Sequence, residues 1–138
     1  MRKLILLLSV FTLVFTSCNN DDDNDSSQEL LIGTWTYSQS FEDGIEIALS
    51  DCEKQETQVF SADGTFMITQ YDDFNGPCEL DGTFSGTWVN AGNGVYTVTA
   101  LGQTFSQAIT FDANTYSVVV TEMDNGVSIE YIDVYIRN

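Results

Sequence analysis

Three cysteines and a large surplus of carboxylates are the residues in this chain that could carry chemistry, and the cysteines are the more specific. Cys18 ends a leader. Arg2 and Lys3 form a short positive stretch, Leu4 to Phe15 an apolar run of 12 residues, and Phe15-Thr16-Ser17 leads into the cysteine. An apolar run this short is a secretory signal rather than a membrane span, which needs about 20 residues. A small residue directly before the cysteine suits the peptidase that cleaves ahead of a diacylglyceryl-cysteine. Residues 1–17 therefore read as a lipoprotein signal peptide and Cys18 as the lipidated N-terminus, with the chain held at a membrane in an oxidising compartment. That leaves Cys52 and Cys78 as an even pair, which we read as a disulfide. On the chain-entropy model, closing that loop stabilises the domain by about 3.5 kcal/mol. A zinc pair is the rival reading, but the chain has no histidine and no CxxC spacing.

The carboxylates exclude more than they assign. There are 21 acidic residues against four basic ones, a formal charge of −17, and loss of Arg2 and Lys3 with the leader moves it to about −19. Lys54 and Arg137 are then the only cations, too few to neutralise a phosphate backbone, so nucleic acid is excluded as a partner. Anionic headgroups are repelled as well. Membrane attachment must rest on acyl chains, at about 0.8 kcal/mol per buried methylene. Hydrolase chemistry needs a nucleophile with a base or two carboxylates at a fixed separation. No histidine, GxSxG or SxxK is present, and among so many acids a close pair carries no information. No catalytic residue, metal or cofactor is assigned, and the chain reads as a non-enzyme. Asp21, Asp23 and Asp25 alternate as in a calcium loop, but Ser26 replaces the required glycine and Ile32 the bidentate glutamate. The acidic stretch Asp72, Asp73, Asn75, Glu79 and Asp81 reads as a solvated loop.

The elements that must position anything begin after residue 29. Asn19 to Ser27 (NNDDDNDSS) holds no apolar residue and cannot bury anything, so 18–29 is a tether, spanning roughly 20 Å on average. From residue 30 to 138 the chain reads as one domain of strands and turns. Asp43-Gly44, Asp63-Gly64, Asn75-Gly76, Asn93-Gly94 and Asn125-Gly126 are hairpin dipeptides. They separate expected strands near 31–39, 53–61, 64–71, 83–90, 94–101, 104–112, 115–123 and 127–136. Eight strands joined by tight turns predict an all-β, antiparallel, up-and-down barrel, closed because closure removes exposed edges. A monomer is expected. Pro77, the one proline, falls in a predicted loop.

The chain also repeats itself. Gly33-Thr34-Trp35 recurs as Gly86-Thr87-Trp88, and Phe60-Ser61-Ala62-Asp63-Gly64-Thr65-Phe66 recurs as Phe111-Asp112-Ala113-Asn114-Thr115-Tyr116, one residue shorter at the turn. If Trp35 and Trp88 face inward, alternation places Tyr37 inward too. Aligning the two halves adds Phe60, Phe66, Ile68, Phe111, Tyr116 and Val118, with Tyr96 and Val98. A small eight-stranded barrel either fills itself with such side chains or holds one small ligand between them.

Gly-x-Trp, the cysteine pair, the Phe60-to-Phe66 turn and the lipoprotein leader, taken together, resemble the lipocalin-like lipoproteins of the Bacteroidota from about Leu31 to the C-terminus. The resemblance implies an eight-stranded calycin-type barrel. In lipocalins the Gly-x-Trp tryptophan closes one barrel end against an arginine after the last strand, so it implies a structural role for Gly33, Trp35 and Arg137. The acidic run after Cys18 is similar to the surface-export signal of such lipoproteins, which implies an outer-membrane, cell-surface location. The expected function is non-catalytic binding of a small apolar molecule by Tyr37, Phe66, Ile68, Trp88, Tyr96, Val98, Phe111, Tyr116 and Val118. The alternative is a filled barrel that binds protein or glycan through its loops. The discriminator is a cavity of several hundred cubic ångströms.

Overall fold

The computed structural model describes residues 30–138, so the leader, Cys18 and the acidic tether lie outside the described residues. The described chain runs through β1 (Gly33–Glu42), β2 (Ile45–Ile47), a short 3-10 turn (Glu53–Gln55), β3 (Thr57–Phe60), β4 (Thr65–Asp72), β5 (Glu79–Gly92), β6 (Val95–Ala100), β7 (Gln103–Asp112), β8 (Thr115–Asp124) and β9 (Val127–Arg137). From β3 to β9 each strand pairs antiparallel with the next in sequence, and β9 returns to β1 to close the barrel. Its wall has eight strands. The ninth, β2, was not expected: it pairs with the far half of β1 through Ser40 to Glu42, while β3 pairs with the near half through Gly33 to Thr36.

Tight turns set the register. Asp43-Gly44, Asn93-Gly94 and Asn125-Gly126 each place two successive residues at positive φ, between 47° and 84°, as two-residue hairpin turns demand. Leu101-Gly102 does the same at φ 52° and 75°, so the strand expected to run through 101 stops at Ala100. The repeated segments form equivalent hairpins: Phe60 pairs with Phe66, and Phe111 with Tyr116.

Two expected boundaries are corrected. Residues 53–55 do not belong to a strand. Glu53 N–H donates to Ser50 Oγ (3.1 Å) and Ser50 N–H donates to the Glu53 carboxylate (2.7 Å), the reciprocal pair of a capping box, which opens a helical turn instead. β5 starts at Glu79 rather than 83, because its pairing with β4 resumes beyond a bulge: Gln70 faces Gly82 but Tyr71 faces Leu80, leaving Asp81 as the extra residue.

A second bulge matters more for the interior. Tyr37 faces Tyr135 but Gln39 faces Val134, so Ser38 is extra on β1. The side-chain alternation changes phase there, and Ser40 is buried while Gln39 is exposed. The core itself is aromatic. Trp35, Trp88, Tyr96 and Tyr116 are fully buried with Leu31, joined by Phe60, Phe66 and Tyr135.

Candidate functional site

The two barrel ends differ. At one, the Arg137 guanidinium lies 4.2 Å from the centre of the Trp35 ring, a cation–π contact. It donates to the carbonyls of Ile32 (2.7 Å) and Leu30, while Trp35 Nε1 donates to the carbonyl of Leu31 (2.8 Å). The segment before β1 is thus drawn across the barrel and sealed. Gly33, at φ 145°, leaves the space that the guanidinium occupies. Above this seal the rings pack edge to face: Trp35 on Tyr116 at 4.7 Å, Phe60 on Trp88 at 5.9 Å, Tyr96 on Phe111 at 6.1 Å.

Toward the other end the packing stops and a cavity of about 400 Å³ opens. Phe66, Ile68, Val98, Tyr116 and Val118 line it, with Phe60. Tyr37 lies beside it, in an adjoining 340 Å³ pocket at the mouth. Three residues expected to contact a ligand do not line it. Trp88 is held at the closed end, its Nε1 donating to the carbonyls of Ser61 (3.2 Å) and Thr65 (3.1 Å). Tyr96 and Phe111 pack around Trp88 and Trp35, as part of the cavity's floor rather than its wall. Alternation places a side chain inward or outward but does not say how far along the barrel it lies.

The wall also contains residues that sequence reasoning missed. Phe84, Phe105, Ile109, Val120 and Tyr135 add apolar surface. Gln58, Gln107 and Asp133 make the lining partly polar. The missed signal was the alternation Tyr131-x-Asp133-x-Tyr135 on β9 and Gln58-x-Phe60 on β3, which carries polar groups to the inner face between aromatic ones. A search restricted to apolar positions passes over them.

These polar groups form two linked sets. Asp133 Oδ1 accepts hydrogen bonds from Tyr37 OH (2.7 Å) and Ser40 Oγ (2.8 Å), the serine placed there by the Ser38 bulge. Glu56 accepts from Tyr135 OH (3.1 Å), Gln58 Nε2 (3.2 Å) and Gln70 Nε2 (3.3 Å), and Gln58 Oε1 accepts a short bond from Tyr116 OH. Tyr135 stacks between Tyr37 and Tyr116, at 5.1 and 4.9 Å. Burial, reinforced by the charges of Glu56 and Asp133, pushes the phenols of Tyr116 and Tyr135 well above their usual range. Burial is also the largest cause of the upward shift of Tyr37. All three hydroxyls therefore remain protonated donors at neutral pH.

The disulfide joins Cys52 to Cys78, with Cα atoms 5.4 Å apart, and so ties the turn before β3 to the start of β5. Among the described residues no group of three or more acidic, cysteine or histidine side chains is placed to hold a metal ion.

A closed antiparallel barrel, sealed at one end and hollow at the other, is the architecture of small up-and-down barrels, whose interior is either filled by side chains or left open for one small ligand. The chain belongs to the lipocalin-like domain family, whose model matches residues 31–125. No curated protein matches it. Among solved structures it is similar to an odorant-binding protein, at 13% identity over 80% of this chain and 73% of that one, TM-score 0.46. It is also similar to a deswapped triple mutant of the bovine odorant-binding protein, at 15% identity over 79% and 74%, TM-score 0.44. Aphrodisin, a sex pheromone from female hamster, shares 19% identity over 78% and 75%, TM-score 0.42.

Proposed function

We propose that this chain is a lipid-anchored, non-catalytic carrier that holds a small apolar molecule inside the barrel. The observation that carries the reading is the cavity of about 400 Å³, which falls within the size range of small-molecule sites, about 300–1,000 Å³. A filled barrel binding through its loops has no comparable observation behind it. The exposed apolar tips Ile45, Phe74, Leu101 and Met123 lie at the open end, where a ligand would enter.

The anchor and its location rest on the sequence. The leader, the small residue before Cys18 and the acidic run behind it support attachment to the outer membrane through the lipidated cysteine, with the barrel at the cell surface, as in the similar lipoproteins of the Bacteroidota. The absence of any histidine from the chain supports a carrier rather than an enzyme.

Extraction of the protein from its native membrane, followed by mass spectrometry under non-denaturing conditions, tests the reading. A bound small molecule retained by the folded barrel is the expected result. A barrel recovered empty that also fails to bind apolar fluorescent probes would overturn it.

A further inference from the structure

We propose that the ligand is an amphipathic amine, with its apolar body in the barrel cavity and its protonated nitrogen on Asp133. The proposal rests on the carrier reading and narrows it to one chemical class.

Asp133 is the one residue with a formal charge among those lining the cavity, and it also lines the adjoining pocket at the mouth. Its Oδ1 takes both hydroxyl hydrogen bonds; among the described residues none falls on Oδ2. A carboxylate at the edge of an apolar cavity loses water when a ligand seats beside it, and a donor or an opposite charge on the ligand then replaces what is lost. The described chain offers no counter-charge there. Its two cations are Arg137, which seals the opposite end over Trp35, and Lys54, which is exposed on the 3-10 turn and lines neither pocket. An apolar ligand without a donor would strip water from Oδ2 and return nothing. An alcohol would return one hydrogen bond but no opposite charge. An ammonium group returns the hydrogen bond and the counter-charge together, with both partners ionised.

The surroundings favour the same sign of charge. Glu53 and Glu122 stand with Asp133 around the mouth pocket, and Glu56 lies one tyrosine behind, bonded to Tyr135. A cleft lined by one sign of charge draws in the opposite ion and repels anions. Tyr37 and Ser40 hold the Asp133 carboxylate in place before anything binds, which lowers the ordering cost of recognition. At the packing density of protein interiors, the cavity suits a ligand on the order of 10–15 non-hydrogen atoms.

Three naphthalene probes of matched size test this by calorimetry on the full chain at neutral pH: 2-(2-naphthyl)ethylamine, 2-(2-naphthyl)ethanol and 2-naphthylacetate. The amine should bind about tenfold or more tighter than the alcohol, and the carboxylate weakest. Asp133→Asn keeps the shape and an acceptor for Tyr37 and Ser40. It should weaken the amine at least about tenfold and the alcohol several-fold less, with an unchanged far-ultraviolet circular dichroism spectrum showing that the variant is folded. An alcohol or carboxylate that binds at least as tightly as the amine, or an unchanged amine affinity in Asp133→Asn, would overturn the proposal while leaving the carrier reading in place. Failure of all three probes to bind would overturn this proposal, and the carrier reading with it if the native protein is also recovered empty.

Discussion

Gly33 and Arg137 compete for one space: a Cβ built on residue 33 would lie 2.8 Å from Nη1 of Arg137, closer than packed atoms approach. The glycine at the start of the first strand and the arginine at the end of the last are therefore a single device for sealing the barrel. Gly33→Ala should lower stability by about 1–3 kcal/mol, through strain at φ 145° and displacement of the guanidinium. Arg137→Ala removes the obstacle, so the double variant should cost at least about 0.5 kcal/mol less than the two single losses combined. Urea unfolding of the four proteins checks this. Strict additivity would mean that the two residues act independently.

The second Gly-x-Trp has a different geometry and should respond more severely. A Cβ on residue 86 would overlap the carbonyl oxygen of Thr99 and press on the Phe66 ring at 2.9 Å. Backbone on the neighbouring strand cannot swing aside as an arginine tip can. Gly86→Ala should therefore cost more than Gly33→Ala, about 3 kcal/mol or above, by forcing β5 and β6 apart. Unfolding midpoints in the opposite order would contradict this reading of the two repeats.

The buried tyrosines make stability depend on alkaline pH. In the unfolded chain Tyr37, Tyr116 and Tyr135 lose their protons near the usual 10.0; in the folded barrel they hold them to higher pH, burial being the largest cause for each. Below pH 10 both states are protonated and the full stability is present. Above it the unfolded state binds fewer protons, so stability falls as pH rises. Urea midpoints measured from pH 8 to 11 should be flat and then drop. Tyr116→Phe, which keeps the ring and removes the ionisable group, should make the drop shallower.

Much of this architecture was legible in the residues, and what was not has a physical reason. Asp-Gly and Asn-Gly pairs announce turns because few other residues tolerate positive φ twice in succession; Leu101-Gly102 adopts the same conformation with no such mark. The apolar alternation found most of the inward face. It could not find the Ser38 bulge, which comes from how β1 and β9 pair across the whole chain, and so it could not place Ser40 against Asp133. Nor could it separate Trp88 and Tyr96, which fill the closed end, from Val98 and Val118, which line a void. Depth along a barrel follows from strand stagger, which is a property of all the pairings together.

The Cys52–Cys78 bridge spans 26 residues and ties two loops at the open end of the barrel. The Cys52→Ser/Cys78→Ser protein should lose about 2–5 kcal/mol. Because Glu56 follows Cys52 closely, the loss should also loosen the polar set around Tyr135 and weaken ligand binding. Alkylation before and after reduction checks the bridge: two sulfhydryls that react without reductant, in protein taken from its native compartment, would remove it.

The anchor yields the last prediction, because charge and lipid make opposite demands on it. A mature chain near −19 is repelled by anionic headgroups, so no electrostatic attachment should survive loss of the acyl chains. Wild-type protein should stay with membranes in both low and high salt, and Cys18→Ala should be released in both. If the Cys18→Ala protein remained membrane-bound without a lipid adduct by mass spectrometry, the leader would have been misread. The acidic run is tested separately: protease added to intact cells should remove the wild type and spare a variant with Asp21, Asp22 and Asp23 changed to Ala. Equal cleavage of both would make the run a plain solvated linker, leaving the lipid anchor as the sole determinant of attachment.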